Sequence, residues 1–378
     1  MTPDRVVLVT GATGLIGGAV TLELLEQTDA EIMCLVRGRD QSDCRQRLHD
    51  ALTTAARAYG NESLVAGVRD RCRALPGDLL DPRWPETVRK AELVIHAAAS
   101  LKYAARDADE ITNVNVNGTL LALRAAALAG ARMYCQVSTA YVAGTRTGTI
   151  YETDAPPDDG SLNNCYERSK AAAERIVNLS DVPSMIVRPS IVIGHSSTYC
   201  ATSFSGMYGM LDELIRFKRA VSKRLGSYLT YNPVRLLASP AASLNLLPVD
   251  YAARAIACIA LSAAAGTYHV VNLTPPTVEE TFEAGLPVLG LLAPRYASGE
   301  SQLSGLDRKL QTEFYDSYLK NSKTFDAERA CGIVGEDKLK AFLPGTEIQN
   351  YIRWYVDSGW RKGQRLADSA QRSPGPAP

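Results

Sequence analysis

Apolar residues along this chain fall into two alternating kinds of stretch. Short runs rich in β-branched residues come first: Val6-Val7-Leu8-Val9, then Glu31-Ile32-Met33-Cys34-Leu35-Val36, with Arg73-Ala74-Leu75 as a brief third. Glu92-Leu93-Val94-Ile95-His96, Arg132 to Val137 and Tyr268 to Leu273 continue the series. Such runs predict strands buried on both faces, as in a parallel sheet. Between them lie stretches with helical periodicity: Ala19 to Gln27, Gln41 to Tyr59, a run ending at Ala129 and capped by Asn113 to Thr119, Ala171 to Leu179, and Tyr251 to Ala260. Strand and helix in alternation predict an α/β fold, a doubly wound parallel sheet of about seven strands. The pattern lapses over 195–245, where Met210 to Val221 alone reads as an amphipathic helix with Leu211, Leu214, Ile215 and Val221 inward. Beyond Thr277 the chain is amphipathic and helical to about Trp360, and 364–378 reads as a polar, proline-rich disordered tail. The expected division is a nucleotide-type domain over 1–194 plus 246–275, and a smaller, mostly helical substrate lobe over 195–245 plus 276–363.

The first strand runs into Thr10-Gly11-Ala12-Thr13-Gly14-Leu15-Ile16-Gly17, glycines three apart ahead of a helix. A strand, a glycine turn and a helix N-terminus together form a pyrophosphate cradle, because the first-turn amides are unpaired and the helix end is partly positive. The residue closing the second strand of such a unit faces the adenosine ribose. An acid there suits NAD, whereas an arginine suits the 2′-phosphate of NADP. Arg37 holds that position, about 20 residues past the turn. NADPH is therefore the expected cofactor, with Arg39 and Arg47 as further charge and an exposed-loop arginine as the alternative. Asp78, at the exit of the third strand, is placed to accept from adenine or to serve the turn. Ala97 and Ala98 are small enough for a cofactor to lie against backbone, while His96 reads as a satisfied strand-end histidine.

The fifth strand delivers Ser138 and Thr139 at its C-terminal end, where ligands bind in open α/β sheets. Downstream, Tyr166 and Lys170 are four apart and share one helical face. A phenol titrates near 10 on its own, and a neighbouring ammonium would lower it toward useful acid–base chemistry.

Composition narrows the classes. Lys+Arg and Asp+Glu both number 41, so no global field favours nucleic acid. The eight scattered cysteines include no CxxC pair and read as free thiols, which fits a reducing cytoplasm. No metal site is expected. The chain enters a strand directly after MTPDR, so no signal peptide is expected, and no apolar run approaches a membrane span. One local exception to neutrality is Arg216, Lys218, Arg219, Lys223 and Arg224, either a solvated helix face or a docking surface for an acidic protein or for phosphates of a substrate carrier. Val234 to Leu247, apolar and broken by proline, reads as a pocket lining or as packing between lobes.

Taken in order, TGATGLIG (10–17), GDL (77–79), HAAA (96–99), NVNG (115–118), STAYVAG (138–144), YERSK (166–170), RPSIVIG (188–194) and LPVDYAARAI (247–256) resemble the extended short-chain dehydrogenase/reductase superfamily, a Rossmann fold. The resemblance implies Thr139, Tyr166 and Lys170 as a catalytic triad, with Ser138 as second choice for the active hydroxyl. It also implies cofactor contacts from Thr10, Gly11, Thr13, Gly14, Leu15, Ile16, Gly17, Leu79, Asn115, Lys170, Pro189 and Ile191. CLVR (34–37), STAYVAG and LPVDYAARAI look like the thioester reductase and fatty acyl reductase group. That group implies NADPH-dependent reduction of an acyl thioester, on coenzyme A or a carrier protein, to an aldehyde, which some relatives reduce again to an alcohol. An acyl carrier protein would then be the partner of the basic 216–224 stretch.

Three other readings share the fold: a reductase of a free ketone or aldehyde, a sugar-nucleotide epimerase, and a non-catalytic NADP-binding protein. Epimerases usually carry an acid where Arg37 stands. Non-catalytic relatives often lose the tyrosine or lysine, and both are kept here. Dehydration would need an Asp-Glu pair after the threonine, where Ala140-Tyr141 stands.

Overall fold

The computed structural model describes residues 5–310, 318–320 and 322–357. Its centre is a seven-stranded sheet formed by β1 (Val6–Thr10), β2 (Glu31–Val36), β3 (Cys72–Pro76), β4 (Leu93–His96), β5 (Met133–Val137), β6 (Ser184–Pro189) and β7 (Gly266–Val270). The strands lie in the order β7-β6-β5-β4-β1-β2-β3, and every pairing is parallel. The order reverses between β1 and β4, which opens a crevice at the carboxyl ends of the strands.

Side chains alternate between the two faces. Val7, Val9, Ile95, Cys135 and Val187 join one apolar cluster, whereas Leu8, Val94, Tyr134 and Ile186 join another under the helix Gly118–Leu128. The first cluster also takes in Leu211, Leu214, Val234, Leu236, Phe282 and Ile352, so one apolar core runs from the sheet into the C-terminal half. All eight cysteines are free, and Cys34, Cys44, Cys72 and Cys135 are buried in strand or helix positions.

Several local expectations change. Asn113–Asn117 is not a cap but a π-turn that continues the helix Ala108–Thr112 into Gly118–Leu128. The last sheet strand begins at Gly266, two residues earlier than the apolar pattern implies. The helix read from Met210 extends over Met207–Leu225. The C-terminal stretch is not helical throughout. Arg295–Ala297 pairs in parallel with Arg235–Leu237, and Lys323–Phe325 pairs in parallel with Gly148–Ile150. Trp360 and 364–378 lie outside the described residues. Among the described residues no helix is long and apolar enough to cross a membrane.

Candidate active site

A cleft of about 750 Å³ follows the carboxyl ends of the strands from the glycine turn to the C-terminal segment. At one end lie Thr10, Gly11, Thr13, Gly14, Leu15, Ile16 and Gly17. Gly11 has φ +77°, which L side chains rarely adopt, and a Cβ there would sit 2.6 Å from the Ala98 amide. At Gly17 a Cβ would lie 2.2 Å from the carbonyl oxygen of Gly11. Backbone packs on backbone at both positions. The helix Leu15–Gln27 begins at Gly14, which supplies no side-chain cap. Its first amides therefore suit a phosphate, and the turn fits a dinucleotide. Thr10 braces the adjoining strand end: its hydroxyl accepts from Ala98 N–H (3.3 Å) and meets His96 Nδ1 at 2.6 Å.

Toward the adenosine end the lining includes Arg37, Arg47, Asp78, Leu79, Ala97 and Ala98. Arg37 is 74% exposed and lies 3.7 Å from the Asp78 carboxylate, a screened pair that leaves its guanidinium free to turn to a ligand. Arg39 stands outside the lining, near Asp43 (3.5 Å).

The middle of the cleft holds Ser138, Thr139, Tyr166, Pro189, Ser190, Ile191 and Val192. Thr139 caps the short helical turn Ala140–Ala143, its hydroxyl accepting from Tyr141 N–H at 3.2 Å, and its own hydrogen remains available. Ser138 is buried with its hydroxyl unpartnered. Tyr166 sits in the first turn of the helix Cys165–Asn178, whose N-cap Asn164 accepts from Glu167 N–H. The end of β6 is held by a buried two-point ion pair, Arg188 Nε and Nη2 donating to Glu174 at 3.0 and 2.7 Å. Breaking such a pair typically costs about 3–5 kcal/mol, so Pro189 and Ile191 leave a fixed anchor.

Two residues expected at the cofactor, Asn115 and Lys170, are not among the residues that line the cleft. Asn115 spends its amide on Ser100 N–H (2.7 Å), Ser100 C=O (3.1 Å) and Ser169 Oγ (2.8 Å). Lys170 is buried and donates to the Val137 carbonyl at 2.8 Å. Burial brings its ammonium down to about 8, opposed by Glu174. The expected lowering of Tyr166 by Lys170 is not what this geometry gives. Burial first, and then the Glu167 carboxylate, push the Tyr166 phenol up and keep it protonated. His96 is only half satisfied: Nε2 is buried without a partner, and burial holds the ring neutral at about 3.

The far end is built from segments that no sequence motif marks. Leu101, Val114, Ser203, Ser205, Met207, Met210, Leu244, Leu246, Tyr318 and Leu319 come from five separate stretches. The sequence marked them only coarsely, through the assignment of 195–245 and 276–363 to a substrate lobe and of Val234 to Leu247 to a pocket lining. Of Val234 to Leu247, Leu244 and Leu246 reach the cleft, while Val234 and Leu236 pack in the core. Lys218 is half-buried and donates to the Leu289 carbonyl at 2.7 Å, so it does not belong to the exposed basic face. Arg216, Arg219, Lys223 and Arg224 are exposed, beside exposed Leu225 and Tyr231.

A doubly wound sheet, a glycine turn at its switch point, and Thr139 and Tyr166 at one cleft define an NAD(P)-dependent oxidoreductase of the extended short-chain dehydrogenase/reductase type. More narrowly, residues 9–256 match the "Male sterility protein" family of NAD-binding domains, and the chain belongs to that family. Among its relatives is the isonitrile lipopeptide synthase of Mycobacterium tuberculosis, 28% identical over 318 residues, which are 75% of this chain and 12% of the synthase. The carboxylic acid reductase of Mycobacterium marinum is 27% identical over 302 residues, 72% of this chain and 24% of that enzyme. The chain thus spans a quarter or less of either relative. In fold it is similar to the terminal R domain of the myxalamid PKS-NRPS pathway: TM-score 0.74, 23% identity, covering 95% of this chain and 92% of that domain.

Proposed function

We propose that the protein uses NADPH to reduce an acyl thioester, presented on a carrier protein or coenzyme A, to the aldehyde. The observation that carries this reading is one continuous cleft, with a phosphate cradle and Arg37 at one end, hydroxyls at Thr139 and Tyr166 in the middle, and an apolar far end. Relatives that include a carboxylic acid reductase and an aminoadipate reductase support the same chemistry. NADPH, held by the glycine turn and Arg37, would supply hydride chemistry at the thioester carbonyl carbon. Thr139 and Tyr166 donate hydrogen bonds to the carbonyl oxygen, where negative charge develops. Tyr166, protonated in its buried setting, gives that oxygen its proton. The thiohemiacetal then breaks its C–S bond, releasing aldehyde and thiol. Lys170 steadies the strand end that presents Ser138 and Thr139. An apolar acyl chain occupies the end lined by Met207, Met210, Leu244 and Leu246, since among the described lining residues the only charge there is Glu110, exposed and paired with Lys102. An acidic carrier protein docks on the exposed Arg216, Arg219, Lys223 and Arg224.

NADPH oxidation is to be followed with an acyl-coenzyme A, the same acyl group on a carrier protein, and the free aldehyde. Turnover of the thioesters is expected, with Arg219→Glu/Lys223→Glu raising KM selectively for the carrier-bound form. Turnover of the aldehyde alone would reject thioester reduction in favour of an aldehyde reductase. An unchanged KM for the carrier-bound form would remove the basic face from docking.

A further inference from the structure

Glu167 is fully buried, a costly place for a carboxylate unless its oxygens are satisfied. They are, in an unusual way. One side is local: Asn163 donates its backbone N–H (2.8 Å) and its side-chain amide (2.9 and 3.1 Å). The other side crosses the molecule. Tyr318, 151 residues away in sequence, donates its phenol to Oε1 at 2.6 Å and accepts from Asn164 Nδ2 at 3.3 Å. Helix start and C-terminal segment are thus joined through one carboxylate.

The same few residues form a wall of the cleft. Tyr318, Leu319, Tyr141 and Tyr166 all line it. The Tyr318 ring meets Tyr141 edge-on, centroids 4.7 Å apart and planes at 73°. Lys323, also buried, donates to the Gly144 carbonyl, lies 6.0 Å over the Tyr141 ring, and is the nearby cation that offsets the Glu167 charge. A purely structural glutamate would need none of this alignment with the cleft. An aromatic ring pinned at its far atom by a charge-assisted hydrogen bond has little freedom, and a ring with little freedom gives a pocket a defined boundary.

We propose that Tyr318 is a specificity-determining residue of the acyl end, and that Glu167, one residue from Tyr166, is the positioning residue that holds it there. The proposal rests on the cleft being an acyl site. Substrate binding then depends on a bond made by the helix that also carries the proton donor, so the acyl group and the reacting hydroxyl are placed by one element.

The test uses the full chain and two substrate series of increasing bulk, straight-chain and branched, each as acyl-coenzyme A and as free aldehyde. In Tyr318→Phe the ring stays and only the hydrogen bond goes. KM for straight-chain substrates is expected to rise about tenfold, with a much smaller change in kcat. Tyr318→Ala is expected to shift the ratio of kcat/KM toward the branched series by about tenfold or more. Glu167→Ala should reproduce the Tyr318→Phe loss, and Glu167→Gln, whose amide oxygen still accepts from the phenol, should recover most of it. An unchanged KM and unchanged branched-to-straight ratio in both Tyr318 variants would overturn the proposal. So would a fall in kcat and thermal stability in the Glu167 variants with no change in substrate preference, the signature of a structural role alone. If only the aldehydes turn over, thioester reduction fails and the Tyr318 ratios are read on the aldehydes.

Discussion

The two ends of the cleft are built on different physical terms. The nucleotide end is defined by backbone: a glycine turn, a helix start, and strand ends set by sheet register. Its residues fall between Thr10 and Ala98, and two of them, Gly11 and Gly17, leave no room for a Cβ. The far, apolar end is defined by side chains gathered from five stretches between Leu101 and Leu319, held by long-range bonds such as Tyr318 to Glu167. Where backbone makes the site, residue identity is constrained and motifs appear. Where side chains make it, many sequences would serve, and the substrate can change without a change of fold.

This contrast can be broken at three points. The largest effect is expected at the junction. Tyr166→Phe should cut turnover by about 10³-fold, the range for loss of a general acid, with NADPH binding retained in a fluorescence titration. Full turnover in that variant would remove Tyr166 as proton donor. The second test strikes the nucleotide end through backbone alone. In Gly17→Ala the added Cβ meets the Gly11 carbonyl 2.2 Å away, so the turn must open and NADPH affinity should fall by roughly 100-fold, about 2.7 kcal/mol. An unaltered dissociation constant would show that the turn does not form the phosphate cradle. The smallest effect is expected at Arg37, which is exposed. Arg37→Ala should weaken NADPH by about tenfold, a surface charge-assisted contact, while NADH binding is preserved. Equal loss of both would deny Arg37 its 2′-phosphate.

The sequence pattern carried the sheet well because β1, β2, β4 and β5 are apolar runs bounded by turn residues, and their ends follow from that pattern. Thr10, Gly11, Thr13 to Gly17, Ala97, Ala98, Ser138 and Thr139, read from the same pattern, all line the cleft. Asn115 and Lys170 are polar residues of a motif read as ligand contacts, and in the structure each bonds a carbonyl or hydroxyl behind the cleft wall. The Tyr166 phenol was expected to be lowered by a charge four residues away. Burial and Glu167, neither readable from spacing, push it the other way. Tyr318 had no signal beyond lying in the 276–363 part of the expected substrate lobe. Its place depends on a parallel pairing of Lys323–Phe325 with Gly148–Ile150 that three-residue strands cannot announce.

That pairing also bears on how the molecule comes into being. Lys323 and Gly148 are neighbours in the folded chain although 323 − 148 = 175 residues separate them. Closing so long a loop is entropically late, and contacts of this span slow folding. During synthesis Tyr318 emerges long after the glycine turn. A nascent chain halted between the two therefore carries the glycine turn but lacks the tyrosine that walls the far end of the cleft, and that end takes its shape later than the cradle.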